Sequence, residues 1–109
     1  MRTISVDTDA DGRLTVFLRG DLDFTNASQV AGAVQEAIHR GRPAAVRIDL
    51  ADVTFLDSSG IGLLVRAMKA AEEGGAGFRV ANPTSKVLDQ LWLSGLLEAF
   101  GLADPAEDP

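Results

Sequence analysis

Two consecutive serines follow an aspartate near the middle of the chain, in the segment Asp57-Ser58-Ser59-Gly60-Ile61-Gly62. Aspartate and serine side chains accept hydrogen bonds from the free backbone N–H groups of a first helical turn, so this segment is typical of a helix start. A helix start also favours a bound anion, because the helix dipole and the free N–H groups attract negative charge. The residues alone predict an exposed helix start at Ser58 and leave open whether this serine only caps the helix or is also modified.

Other kinds of chemistry have weaker support. The chain has one histidine, His39, in a polar segment expected to end a helix, so a Ser-His-Asp triad would need His39 to reach Ser58. A serine hydrolase is therefore the least favoured interpretation. The segment Gly60 to Leu64 lacks the Gly-Lys-Ser/Thr ending of a phosphate loop, and Ser59 to Gly62 does not fit the Gly-x-Ser-x-Gly pattern. The carboxylates show no metal-ligand spacing, so we expect no catalytic residue, no metal and no cofactor.

The elements that must position Ser58 are predicted by apolar periodicity. Alternating apolar residues predict four strands, carried by Ile4 and Val6; Leu14, Val16 and Leu18; Val46, Ile48 and Leu50; Phe78 and Val80. The turn signal Asp11-Gly12 makes a hairpin of the first two. Because alternation is typical of a sheet with one covered face, the helices are expected on one face only.

Three helices are predicted by residues at helical spacing: Ala27, Val30, Ala31, Val34 and Ile38; Ile61, Leu64, Val65 and Met68; Val87, Leu88, Leu91 and Trp92. Asn26 with Gln29 three residues later predicts a capping box for the first helix, and Asn82-Pro83 is expected to open the third. The element order predicts an α/β fold with a mixed sheet of four to five strands. The third strand, the second helix and the fourth strand are expected to form a crossover between parallel strands. This connection places Ser58 where the loop after a strand meets the start of a helix.

Composition limits the class of protein. The 109 residues, 46% hydrophobic and 24% charged, have room for one domain, which we place at 1–102. The acidic, proline-containing residues 103–109 are expected to form a short disordered tail. The absence of cysteine suits a reducing cytosol, and no apolar leader or membrane-length run is present, so we expect a cytoplasmic protein without a membrane partner. A net charge of −6 without a dense basic cluster argues against nucleic acid as a partner.

A longer stretch, from Leu50 to Leu64, closely resembles the signature of STAS domains in anti-sigma factor antagonists. The likeness continues upstream in Leu18 to Asp23, which is similar to the family's Gly-(Glu/Asp)-Leu-Asp strand end. It continues downstream through Asn82-Pro83 to Leu93-Ser94-Gly95-Leu96, and so covers residues 3 to 101 or thereabouts. The resemblance implies a STAS-like sheet with helices on one face. Family members often carry a further strand and a final helix after this point, and that last helix is expected to be truncated or missing here.

The resemblance also implies a partner-switching cycle. The unphosphorylated protein would bind an anti-sigma factor that is also a serine kinase, and so release a sigma factor. The kinase then phosphorylates the antagonist, and a phosphoserine phosphatase reverses the step. The phosphoacceptor maps onto Ser58, with Ser59 as second choice. The implied partner-binding residues are Asp21, Asp23, Asp57, Ser58, Ser59 and Gly60.

Phosphorylation would add about −1.5 to −2 charge beside Asp57, and repulsion and bulk are expected to weaken partner binding. Asp23 could instead be an exposed carboxylate at a strand end. Gly60 and Gly62 could admit a second backbone or pack the helix closely on the sheet. A STAS scaffold or binding subunit of a signalling or transport complex, without phosphorylation, would share the fold. The two serines after Asp57 favour the switch.

Overall fold

A computed structural model of the protein describes residues 3–102. The elements are β1 (Ile4–Thr8), β2 (Arg13–Leu22), α1 (Ala27–Gly41), β3 (Ala45–Leu56), α2 (Ser58–Glu73), β4 (Gly77–Ala81) and α3 (Ser85–Leu93). The predicted order of strands and helices is confirmed. The tail expected at 103–109 lies outside the described residues.

The four strands lie side by side in chain order. β1 runs antiparallel to β2, whereas β2, β3 and β4 are mutually parallel. At the β1–β2 turn, Asp9 Oδ1 accepts hydrogen bonds from the N–H groups of Asp11 and Arg13, at 2.8 and 3.1 Å. Leu22 at the end of β2 pairs with Leu56 at the end of β3. Because parallel strands end at the same edge of a sheet, the segments that follow these two strands start side by side.

The helices cover one face of the sheet. Val16, Ile48 and Val80 are register partners across β2, β3 and β4, and all three are buried in one continuous core. Arg47 and Arg79, one position earlier on β3 and β4, point to the other face and keep solvent contact. The alternation in the sequence therefore predicted the covered face correctly.

The buried faces of α2 and α3 differ from the predicted stripes. The buried side chains of α2 come from Leu63, Leu64, Ala67, Ala70 and Ala71. Ile61, Val65 and Met68 are only partly buried and pack against the core. In α3, Val87 and Leu91 are buried and Leu88 is partly buried, whereas Trp92 is 49% exposed, so the buried face does not extend to Trp92.

The capping box predicted for α1 does not form. Asn26 is the N-cap residue, but its side chain makes no cap hydrogen bond within the described residues. Its Oδ1 accepts from the Asp23 N–H at 3.0 Å, and its Nδ2 donates to the Asp21 carbonyl at 2.8 Å. The Asn26 amide thus closes the loop between β2 and α1, and Gln29 has no capping role.

The start predicted for α3 was also wrong. The helix begins at Ser85, and the Thr84 hydroxyl caps it by accepting from the Val87 N–H at 3.3 Å. Asn82 instead has a left-handed φ of 56°. Its Nδ2 donates at 3.0 Å to Oδ2 of Asp49, a buried carboxylate on β3.

After Leu93, the described chain continues to Leu102 in turns, without a further helix or strand. Leu97 and Phe100 are buried, and the Val80 N–H donates to the Phe100 carbonyl at 2.8 Å. This segment therefore lies along the outer edge of β4. None of the helices within residues 3–102 is long and apolar enough to cross a membrane.

Candidate functional site

The candidate site lies at the carboxyl ends of β2 and β3, where α2 begins. Asp57 is the N-cap residue, and its Oδ1 accepts from the N–H groups of Ser59 and Gly60, at 2.8 and 3.0 Å. Ser58, the first helical residue, is exposed, whereas Ser59 is half-buried. The helix start predicted at Ser58 is therefore confirmed, with Asp57 as the capping residue.

Asp57 also ties the helix start to the neighbouring loop. Its Oδ2 accepts from the Phe24 N–H at 3.0 Å, and its own N–H donates to the Leu22 carbonyl at 3.2 Å. Among the described residues, the Ser58 hydroxyl has no hydrogen-bond partner, so Asp57 caps the helix and does not orient this serine. The expectation of free N–H groups for a phosphate was wrong for Ser59 and Gly60, because Asp57 occupies both.

The two glycines of the helix start play different parts. A Cβ on Gly60 would lie 2.4 Å from the Leu22 carbonyl oxygen and 3.0 Å from a methyl group of Leu56. Only glycine lets α2 start this close to the ends of β2 and β3. A Cβ on Gly62 would meet no described atom within 4 Å. Gly60 thus serves packing within the chain, and contact with the sheet does not require glycine at 62.

Two of the predicted carboxylates lie at the end of β2. Asp21 is exposed and pairs in register with Phe55 of β3, and its Oδ1 accepts from the Thr54 hydroxyl at 2.5 Å. Asp23 Oδ1 accepts from both the hydroxyl and the N–H of Thr25. These hydrogen bonds, the hydroxyl first, lower the pKa of the Asp23 carboxyl from its ordinary value.

The structure therefore brings the predicted residues of both strand ends to one edge of the sheet. Asp21 and Asp23 come from the end of β2, and Asp57 to Gly60 come from the junction of β3 and α2. This edge therefore carries the acidic side chains of both strand ends together with the exposed Ser58. A cationic protein surface is the natural complement of such an arrangement.

Two residues of this region were not singled out from the sequence. Phe24 stands between the strand end and α1 and is 81% exposed. Gln90 of α3 accepts from the Leu56 N–H at 3.3 Å and donates to the Leu56 carbonyl at 2.6 Å, so it fixes α3 to the end of β3. The only signal for Phe24 was an aromatic residue in a polar turn. Gln90 gave none, because its partner lies 34 residues away.

A shallow groove, here called the α1–α2 groove, separates the first turns of these helices. It has a volume of about 240 Å³, and its lining includes Phe24, Ala27, Ser28, Ser59, Gly62 and Arg66. A larger depression of about 640 Å³ lies on the uncovered face of the sheet, at the opposite ends of the strands, beside Arg13 and Arg79. Of these two depressions, the α1–α2 groove is the one lined by Ser59, the residue next to Ser58.

A Ser-His-Asp triad is not assembled around Ser58. His39 is in the last turn of α1 and lines a pocket with Gly74 and Ala76, which follow the end of α2. Ser58 is at the start of α2, a 16-residue helix. At 1.5 Å per residue this separates the two ends by about 24 Å, far beyond hydrogen-bond reach.

Comparisons with known proteins give a consistent result. The model of the STAS domain family matches residues 5–108. The anti-sigma F factor antagonist of Paenibacillus polymyxa is 30% identical over 93 residues, which are 85% of this chain and 80% of that protein. The crystal structure of an anti-sigma factor antagonist from Mycobacterium paratuberculosis is 30% identical, with a TM-score of 0.72 over 97% of this chain and 88% of that chain.

The protein SpoIIAA, solved in two forms, shares the fold. Its unphosphorylated form has a TM-score of 0.77 and 24% identity, covering 95% of this chain and 90% of that one. The phosphorylated form, from Bacillus, has a TM-score of 0.69 and 23% identity, covering 95% of this chain and 94% of that one. The likenesses to these proteins extend over most of the chain.

Proposed function

The chain belongs to the STAS domain family, and we propose that it is a cytoplasmic anti-sigma factor antagonist switched by phosphorylation of Ser58. In its unphosphorylated form it binds an anti-sigma factor that is also a serine kinase, and a sigma factor is thereby released. The similarity to anti-sigma factor antagonists of other bacteria supports this role. The observation that carries the proposal is the exposed Ser58 hydroxyl at a fixed helix start, flanked by the carboxylates at the two strand ends.

Ser58 is a better phosphoacceptor than Ser59 for a geometric reason. Ser58 is exposed, so a kinase active site can reach its hydroxyl without moving the helix. Ser59 is half-buried and lines the α1–α2 groove, and its N–H is bound to Asp57. A kinase active site therefore reaches the Ser58 hydroxyl more easily than that of Ser59. That SpoIIAA, which shares the fold, has been solved in a phosphorylated form supports the idea that such a domain tolerates the modification.

A phosphate on Ser58 weakens partner binding through charge. It brings about −1.5 to −2 charge next to the Asp57 carboxylate. The N–H groups of Ser59 and Gly60, which could otherwise compensate an anion, already bond to Asp57. The phosphate therefore competes with the Asp57 carboxylate for these N–H groups or remains exposed to solvent. Either result changes the surface that the kinase recognised, and a phosphoserine phosphatase restores it.

The proposal is tested by measuring the affinity of Ser58 variants for each anti-sigma factor kinase encoded in the organism's genome, using calorimetry. Ser58→Ala removes only a hydroxyl and should bind like the wild type. Ser58→Asp adds a charge at the site and should bind at least roughly tenfold more weakly, a loss of about 1.4 kcal/mol. Thr8→Asp is the matched control, because Thr8 is an exposed hydroxyl residue at the other end of the sheet. Its affinity should equal that of the wild type.

If the wild type binds a kinase and Ser58→Asp binds it equally well, the charge switch is wrong and a STAS scaffold without a switch is favoured. If the wild type binds none of these kinases, the chain is not an anti-sigma factor antagonist.

A further inference from the structure

Phe24 is the most exposed large apolar side chain among the described residues, at 81%. Single apolar side chains are common on protein surfaces and by themselves carry no meaning. Phe24 differs because it is placed beside the site, in the loop that Asp57 connects to the start of α2. An aromatic ring in such a position offers a large apolar area to a protein partner.

The loop that carries Phe24 is held in one conformation by hydrogen bonds. The Phe24 N–H donates to Asp57 Oδ2 at 3.0 Å. On either side, the Asp23 N–H donates to Asn26 Oδ1 at 3.0 Å and the Thr25 N–H to Asp23 Oδ1 at 2.9 Å. The Asn26 N–H donates to the Asp23 carbonyl at 3.1 Å. Four consecutive N–H groups thus have acceptors, so the backbone loses little freedom when the ring is bound.

The surface next to Phe24 reaches Ser59, the neighbour of Ser58 in the first turn of α2. The α1–α2 groove runs from Phe24 to Ser59 and Gly62 of α2 and ends at Arg66, whose guanidinium donates to Gln35 at 3.0 Å. The glycine at 62 leaves the groove open. Across the loop, Asp23 adds a carboxylate whose pKa is lowered by its hydrogen bonds to Thr25. An apolar ring, a shallow groove and negative charge therefore adjoin the proposed phosphoacceptor.

We propose that Phe24 is the apolar anchor by which this chain docks on its anti-sigma factor kinase. The partner surface that fits has an apolar pocket for the ring and, at the rim of that pocket, a lysine or arginine that faces Asp23. This inference rests on the proposed function, and it adds the residue that supplies the apolar part of the binding energy. The assignment of Phe24 also connects the switch at Ser58 with partner binding, because Asp57 both caps the helix that begins at Ser58 and holds the Phe24 loop.

The test compares Phe24→Ala with Phe17→Ala, using the anti-sigma factor kinase that binds the wild type in calorimetry. Phe17 is the matched control, because it is 38% exposed and lies on the uncovered face of β2, five positions before Leu22. Phe24→Ala should weaken binding roughly 30-fold, as expected of an interface hot spot. Phe24→Leu should recover most of the affinity, and Phe17→Ala should stay within about threefold of the wild type. Circular dichroism of each variant checks that the fold is kept.

An affinity of Phe24→Ala equal to that of the wild type would overturn the assignment of Phe24 and leave the proposed function standing. An equal loss for Phe24→Ala and Phe17→Ala would overturn it as well, because the effect would then not belong to the site. A wild type that binds no kinase would instead refute the proposed function itself.

Discussion

At the residue scale, one carboxylate organises the candidate site. Asp57 uses one oxygen to cap α2 and the other to hold the Phe24 N–H, so two segments 33 residues apart depend on the same side chain. Aspartate suits this position because a carboxylate accepts several hydrogen bonds and interacts favourably with a helix N-terminus. Asparagine would keep one acceptor oxygen but would place a hydrogen-bond-donating amide NH2 where the second oxygen accepts.

The Asp23 carboxyl gives a prediction on pH dependence. The Thr25 hydroxyl bond lowers its pKa in the folded protein, so ionised Asp23 stabilises the fold above its unfolded-state pKa of about 4. This stabilisation is lost as the pH falls through the folded-state value. Thr25→Val removes the hydroxyl, and the Asp23 pKa should rise towards its ordinary value, as measured by NMR titration of the side-chain carboxyl.

Thr8→Val, which changes an exposed threonine on β1, is the control and should leave the Asp23 titration unchanged. On acidification below about pH 4, the wild type should lose its stability advantage over Thr25→Val. An identical Asp23 titration in the wild type and Thr25→Val would show that the hydroxyl bond is not the cause.

At the scale of elements, the position of α2 depends on its first turn. The helix begins so close to β2 that a Cβ added at Gly60 would lie only 2.4 Å from the Leu22 carbonyl oxygen. At the other end of the site, Gln90 holds α3 against the last residue of β3. Both contacts are made with backbone atoms at the strand ends, and they fix where Ser58 is presented. Adjustment of other side chains cannot replace them.

Alanine at the two glycines of α2 should have opposite effects. Gly60→Ala forces its Cβ onto the Leu22 carbonyl and should lower the free energy of unfolding by roughly 1–3 kcal/mol. Gly62→Ala, the matched control in the same helix, has open space and should raise it by about 0.5–1 kcal/mol through helix propensity. Urea unfolding followed by circular dichroism measures both. A loss of stability of similar size in both variants would contradict the proposed packing of Gly60.

Local sequence patterns predicted the strands and helices well where the structure depends on residues that are close together in the chain. The alternation around Val16 and Ile48 and the helix start at Asp57 depend on neighbours along the chain, so they could be predicted. Asn26 was correctly predicted as the N-cap residue of α1, but the capping box of α1 and the start of α3 were wrong for the opposite reason. Asn82 bonds to Asp49, 33 residues away, and Asn26 bonds within the preceding loop, so neither side chain caps a helix.

At the scale of the whole molecule, the parallel order of β2 and β3 creates the site. It places the acidic end of β2 beside the serines that follow β3, and one core beneath the helices supports both segments. The place of Ser58 at an exposed helix start could be predicted from its neighbours in the chain, whereas the roles proposed for Ser58 and the acids around it rest on the resemblance. Phe24 could not be predicted, because its exposure is a property of the folded surface. The identity of the partner likewise depends on a surface that one sequence does not reveal.

The central claim is that an anti-sigma factor kinase phosphorylates this protein on Ser58. The most direct measurement is incubation of the wild type, Ser58→Ala and Ser59→Ala with each genomically paired kinase and ATP, followed by mass mapping of the phosphosite. We expect one phosphate on Ser58 of the wild type, the same phosphate on Ser59→Ala, and none on Ser58→Ala. A phosphate on Ser59 or elsewhere in the wild type, or no labelling by any kinase that is active on a control substrate, would contradict the account.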